Sequence, residues 1–111
     1  MDDLCKSDDL FTFGNEDLSH ITDHMFIKMW MTIQFNETDP LIMAENSITQ
    51  LHELIKLNKK NINVILETME SETAQIFTEE GWITKPVDEM VDMVVKTRAG
   101  QLKHFKHLVG L

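Results

Sequence analysis

The side chains best suited to metal chemistry in this chain are two histidine pairs. His20 and His24 are four residues apart, and His104 and His107 are three apart, so on helices each pair would share one face. A bundle could bring the pairs together around a divalent metal. Ferritin-type sites use Glu-x-x-His on paired helices, and that motif does not occur here. We therefore expect surface histidines, with no metal and no cofactor.

Nucleophilic catalysis finds no support in the sequence. The single cysteine, Cys5, lies among acidic residues that disfavour its thiolate. No serine stands in a Gly-x-Ser-x-Gly motif, and no glycine-rich loop is present to hold a phosphate. We therefore expect a protein that is not an enzyme. A lone cysteine also cannot form an internal disulfide, which makes the cytoplasm the expected compartment.

The charge balance favours protein partners over nucleic acid. The chain carries 19 acidic and 10 basic residues, a net charge of −9 at pH 7. It lacks the basic stripe that binding to a phosphate backbone requires, so no nucleic acid partner is expected. No apolar run approaches the ~20 residues that span a bilayer, so no membrane partner is expected either. The acidic first half, residues 1–55, could meet a basic protein surface.

A seven-residue repeat of apolar side chains runs through the centre of the chain. Its members are Leu41, Ile48, Ile55, Ile62, Met69 and Ile76, and the register continues to Ile83. Such a repeat is typical of helices packed along one another. Asp39 and Pro40 are a helix cap and a first-turn proline, and Gly81 is typical of the position just after a helix end. The pattern therefore predicts helix from residue 41 to residue 80.

The polar run at residues 58–61 is the one place in this stretch that suits a turn. A break there predicts two helices, near 41–57 and 61–80. With a first helix near 15–35 and a last helix starting at Pro86, the prediction is an all-α, up-down-up-down four-helix bundle over residues 15–111, after an acidic arm at 1–14. The alternative is three helices, with one long central helix over 41–80 in a dimer.

The methionines suggest where the protein binds partners. The chain has eight, more than a small bundle core usually uses, and methionine is common at adaptable interfaces. We therefore predict an interface that contributes to a homodimer. Its expected members are Met25, Met29, Met43, Met69 and Trp82.

Two short segments resemble the spore-coat-F type of small helical bundle. These are Ile21-Thr22-Asp23 and the run Glu-Glu-Gly-Trp-Ile-Thr-Lys-Pro at residues 79–86. The resemblance implies a ferritin-like bundle without catalysis in a spore-forming bacterium, and a spore coat as an alternative location. Together the observations predict a protein that acts by protein–protein assembly. The alternatives are a small acidic inhibitor or adaptor that binds a basic protein, and a metal-binding bundle.

Overall fold

The computed structural model describes residues 10–68 and 70–109, which form helices and a small sheet. The helices are α1 (Asp23–Asn36), α2 (Pro40–Lys56) and α3 (Val87–Leu102), and two 3₁₀ segments cover Lys59–Asn61 and Lys103–Val109. The strands are β1 (Val64–Ile65), β2 (Thr73–Thr78) and β3 (Gly81–Pro86). They form one antiparallel sheet in the order β1-β2-β3. Within the described residues, no helix is long and apolar enough to cross a membrane.

The sheet overturns the predicted fold class. The prediction of an all-α four-helix bundle or coiled coil is wrong, because the segment 61–80, read as a third helix, contains β1 and β2, and the segment after it forms β3. The alternative of one long helix over 41–80 is wrong for the same reason. Ile76 and Ile83, read as successive positions of one helical repeat, are direct cross-strand partners in β2 and β3. The ferritin-like bundle implied by the spore-coat resemblance is therefore not the fold.

Strand β2 has the period of two that a half-buried strand requires. Ala74 and Ile76 are buried, whereas Thr73 and Gln75 point away and are exposed. Gly81 has a φ of +97° at the turn into β3, a conformation that other residues rarely adopt. The positive φ that makes glycine common after a helix serves here in a hairpin turn.

The ends of α2 match the sequence prediction. Its first residue is Pro40, and the Asp39 side chain accepts a hydrogen bond from the Leu41 amide. The helix ends at Lys56, and the Asn58 side chain then accepts from the Lys60 amide, which closes the predicted turn. Helix α1 begins later than predicted, at Asp23, because Thr22 caps it by accepting from the Met25 amide.

Two apolar clusters hold these elements together. The larger joins α1, α2 and the C-terminal 3₁₀ segment, and its centre is the stacked pair Phe26 and Phe105, with ring centroids 4.7 Å apart. The smaller lies between the sheet and α3, around Ala74, Ile76 and Met90. Burial of these side chains is the main favourable term in forming both units.

Candidate binding surfaces and a buried polar network

The most unusual feature of the interior is an ion pair between Glu16 and Arg98. Both side chains are 0% exposed, and Arg98 Nη1 lies 3.1 Å from Glu16 Oε2. The other carboxylate oxygen accepts hydrogen bonds from Gln101 Nε2 at 2.8 Å and from the Gly14 amide at 3.1 Å. Arg98 Nη1 also donates to Gln101 Oε1 at 2.7 Å. Both carboxylate oxygens of Glu16 are therefore paired, as a charge buried this deeply requires, whereas Arg98 Nη2 has no hydrogen-bond partner among the described residues.

Two asparagines tie the N-terminal segment to the chain that leads into β1. Asn63 Nδ2 donates to Glu16 Oε2 at 2.9 Å and to the Phe11 carbonyl at 3.1 Å. Asn61 Nδ2 donates to the carbonyls of Asp17 and Ile55, and its Oδ1 accepts from the Asp17 amide. Both asparagines are 1% exposed. Their bonds add partners for backbone groups of Phe11 and Asp17 in the N-terminal segment and for the Ile55 carbonyl at the end of α2.

The network holds its ionisable groups in defined charge states at neutral pH. Burial alone raises the pKa of Glu16, but the Arg98 guanidinium and the hydrogen bonds from Asn63 and Gln101 outweigh it, so the pKa lies below its usual value. Burial, together with the nearby charges of Arg98 and Lys56, lowers the pKa of His52 to about 4. Glu16 is therefore ionised and His52 neutral, and neither is poised for proton transfer near pH 7.

Arg98 also determines which nitrogen of His52 carries the proton. Arg98 Nε–H donates to His52 Nδ1 at 2.9 Å. A neutral imidazole that accepts at Nδ1 carries its proton on Nε2. His52 therefore presents an N–H donor on the ring edge that faces away from Arg98.

An apolar groove lies on the outer side of α1, and we call it the α1 groove. It encloses about 480 Å³ and is lined by Ile27, Trp30, Met31, Gln34, Phe35 and Leu108. None of these side chains is charged. Phe35 is 83% exposed and Met31 52% exposed, so this helix presents apolar surface to solvent. Exposed apolar patches of this kind commonly mark interaction sites.

A second concave surface, the α2–α3 cleft, lies between those two helices and β1. It encloses about 540 Å³, and its walls are mostly aliphatic side chains. The exposed members include Val91, Val95 and Leu66. Its polar side chains are those of Thr49, His52 and Lys56, which follow one another at helical spacing on α2.

The residues of the predicted interface do not form one surface in the fold. Met29 is buried in the larger core, and Met25 and Met43 pack against that core while half-buried. Trp82 contacts Phe77 on the sheet, with ring centroids 5.3 Å apart. Met69 lies outside the described residues, as does Cys5. The α1 groove and the α2–α3 cleft hold several of the exposed apolar side chains, and others, such as Leu41 and Leu57, lie outside both.

Of the two predicted histidine pairs, the structure separates the first, whereas His104 and His107 stay three residues apart in the C-terminal 3₁₀ segment. His20 precedes α1, so it does not share a helix face with His24, and its Nε2 lies 2.7 Å from the Leu54 carbonyl. His104 lies edge-on to the Phe105 ring and is exposed, as is His107. Within residues 10–68 and 70–109, no group of three or more His, Cys, Asp or Glu side chains could hold a metal ion.

Sequence reasoning missed the buried network. Arg98 is 0% exposed, although the lysines near it in the chain, Lys96, Lys103 and Lys106, are exposed. A signal was present, because Met90, Val94 and Arg98 are spaced four apart on the apolar face of α3. An arginine at such a position needs a buried anion, and the sequence alone does not single out Glu16 as that partner.

Comparisons with known protein families, with characterised proteins and with solved structures found no match to this chain. The spore-coat resemblance therefore rests only on the two short segments that suggested it. The contacts and surfaces described above carry the functional argument.

Proposed function

We propose that this chain is a non-enzymatic protein that acts through protein–protein association, and that the α1 groove pairs with the same groove of a second copy. The observation that carries the proposal is Phe35, which is 83% exposed at the edge of an uncharged apolar groove. A phenylalanine this exposed brings no stability to its own monomer. Buried in a partner, it would contribute about 1.5–3 kcal/mol.

Electrostatics support this surface as the place where two copies meet. The chain carries a net charge of −9, so two copies repel each other over most possible contacts. The lining of the α1 groove has no charged side chain, and contact there avoids placing like charges against each other. In a two-fold interface the same patch meets itself, so each Phe35 would enter the groove of the other copy.

The expected affinity is modest. Two copies each of Phe35 and Met31 would contribute roughly 5–10 kcal/mol of apolar burial. Association costs about 4–15 kcal/mol in lost translational and rotational freedom. The balance favours a reversible dimer at micromolar concentration over a permanent one.

Sedimentation velocity over about 1 to 100 µM protein tests the proposal. The wild-type chain should move from monomer to dimer over this range. Phe35→Gln should raise the dimer dissociation constant at least about tenfold, the equivalent of ~1.4 kcal/mol. Leu57→Gln is the matched control, because Leu57, the residue that follows α2, is 65% exposed and does not line the groove.

A monomer at every concentration would contradict the self-association proposal, and equal effects of both substitutions would contradict its location. The second candidate function, binding of a basic protein, would then come first. It is favoured by the exposed carboxylates of residues 67–92, where eight acidic residues accompany a single basic one, Lys85. Steep weakening of partner binding with added salt would mark that mode.

A further inference from the structure

The α2–α3 cleft combines an apolar interior with a polar end. Its volume of about 540 Å³ falls within the range of small-molecule sites, roughly 300–1,000 Å³. Ile48, Val64, Val94 and Val95 are among the side chains that form its walls. Such walls suit an unbranched or flat apolar body, because they offer contact area and few hydrogen bonds.

Besides the Thr49 hydroxyl, the polar side of the cleft carries two N–H donors. Lys56 supplies an ammonium group, and His52, four residues earlier on α2, supplies the Nε2–H that its bond from Arg98 defines. The Arg98 charge behind the imidazole is neutralised by Glu16, so the pair fixes the ring without presenting a buried charge to the cleft. Both donors are therefore held on the same helix face, one turn apart.

Lys56 is available to a ligand. Its present ion pair is with Glu53 at 3.5 Å, between side chains that are 40% and 64% exposed. Exposed pairs of this kind are weak, because solvent screens them. A ligand anion partly enclosed by the cleft would compete for Lys56 from a less solvated position.

We propose that the α2–α3 cleft binds a small carboxylic acid with an unbranched apolar chain. The carboxylate accepts from Lys56 Nζ and His52 Nε2, and the chain lies between the aliphatic side chains of α2 and α3. A carboxylate offers two oxygens and one charge, which matches one ammonium and one neutral donor. A phosphate would keep a further oxygen and additional charge unmatched. This site goes beyond the proposed dimer and uses a separate surface.

Isothermal titration with hexanoate, octanoate and decanoate at pH 7, with octanol as the uncharged comparison, tests the assignment. We expect one saturable site per chain, with affinity rising about two- to fourfold for each added methylene. Octanoate should bind about tenfold more tightly than octanol, because only the carboxylate makes charge-assisted bonds. No saturable binding of any of the acids, or equal binding of octanoate and octanol, would overturn the proposal.

Variants locate the site. Lys56→Gln should lower octanoate affinity to the level of octanol and leave octanol binding unchanged. Lys96→Gln is the matched control, because Lys96 forms an exposed helical ion pair with Asp92 outside the cleft. Val91→Glu, at an exposed position of the cleft wall, should weaken all the acids. Phe35→Gln should leave octanoate binding intact, so failure of the dimer and failure of this site are distinguishable. An equal loss of octanoate affinity in the Lys56 and Lys96 variants would refute the assignment.

Discussion

Removal of the buried guanidinium should be among the most damaging single substitutions in this protein. Arg98→Met keeps a long side chain on α3 but leaves the Glu16 carboxylate 0% exposed without its counter-charge. The Glu16 carboxylate would keep its hydrogen bonds from Asn63, Gln101 and Gly14, and these would still stabilise part of its buried charge. Breaking a buried pair in this way typically costs about 3–5 kcal/mol. A domain of this size has only about 5–15 kcal/mol of total stability.

Urea denaturation at pH 7, followed by tryptophan fluorescence, measures this loss. Lys96→Met is the control, because its pair with Asp92 is exposed and should change stability by less than about 1 kcal/mol. The loss of stability in the double variant Glu16→Gln with Arg98→Met should be smaller than the summed losses of the two single variants. The difference should exceed about 1 kcal/mol, because the double variant leaves neither charge unpaired. Two results would refute the view that the pair is buried and coupled. One is a loss of stability below about 1 kcal/mol for Arg98→Met, and the other is a double variant whose loss equals the sum of the two single losses.

Two further predictions concern the same network. His52 titrates near pH 4 in the folded protein and near 6.5 when unfolded, so its contribution to stability is complete above pH 6.5 and is lost as the pH falls to about 4. The loss of stability is up to about 3 kcal/mol, nearer ~2 kcal/mol after solvent screening. Urea titrations at several pH values should show that the free energy of unfolding falls less steeply with falling pH in His52→Gln than in the wild type. Parallel pH dependences of the two proteins would contradict this prediction. Asn61→Ala removes three hydrogen bonds, two part-buried ones to Asp17 and a buried one to Ile55, and should lower the free energy of unfolding by about 2–3 kcal/mol. Asn46→Ala, at an exposed position of α2, should change the free energy of unfolding by less than about 0.5 kcal/mol. Equal losses for the two asparagines would contradict the buried role of Asn61.

Both proposed surfaces depend on side chains that lie next to the buried network or the main core. Arg98 orients His52 at the polar end of the α2–α3 cleft, and Phe26 and Phe105 support the helix that carries Phe35. Rigid support of this kind reduces the entropy lost when a partner or ligand binds. Loss of the network should therefore weaken ligand binding at the cleft before it affects association through α1.

Local chemistry in the sequence was enough to locate several boundaries. Asp39 and Pro40 start α2, the polar run at 58–61 ends it, and Pro86 immediately precedes α3. These signals depend on a few neighbouring residues, because a cap or a turn satisfies backbone groups close by in the chain. These local signals therefore do not depend on the tertiary fold.

Only the tertiary structure determines the secondary structure of residues 62–86 and the partner of Arg98. An apolar residue at every seventh position fits one side of a helix, but Ile76 and Ile83 fit the facing strands of a hairpin equally well. The sheet prevails because β2 pairs with β1 and β3 and buries Ala74 and Ile76 against α3. Arg98 and Glu16 are likewise 82 residues apart in the chain and meet only after folding. Strand pairing and buried ion pairs depend on contacts between distant segments, and a local pattern carries no information about which segments will meet.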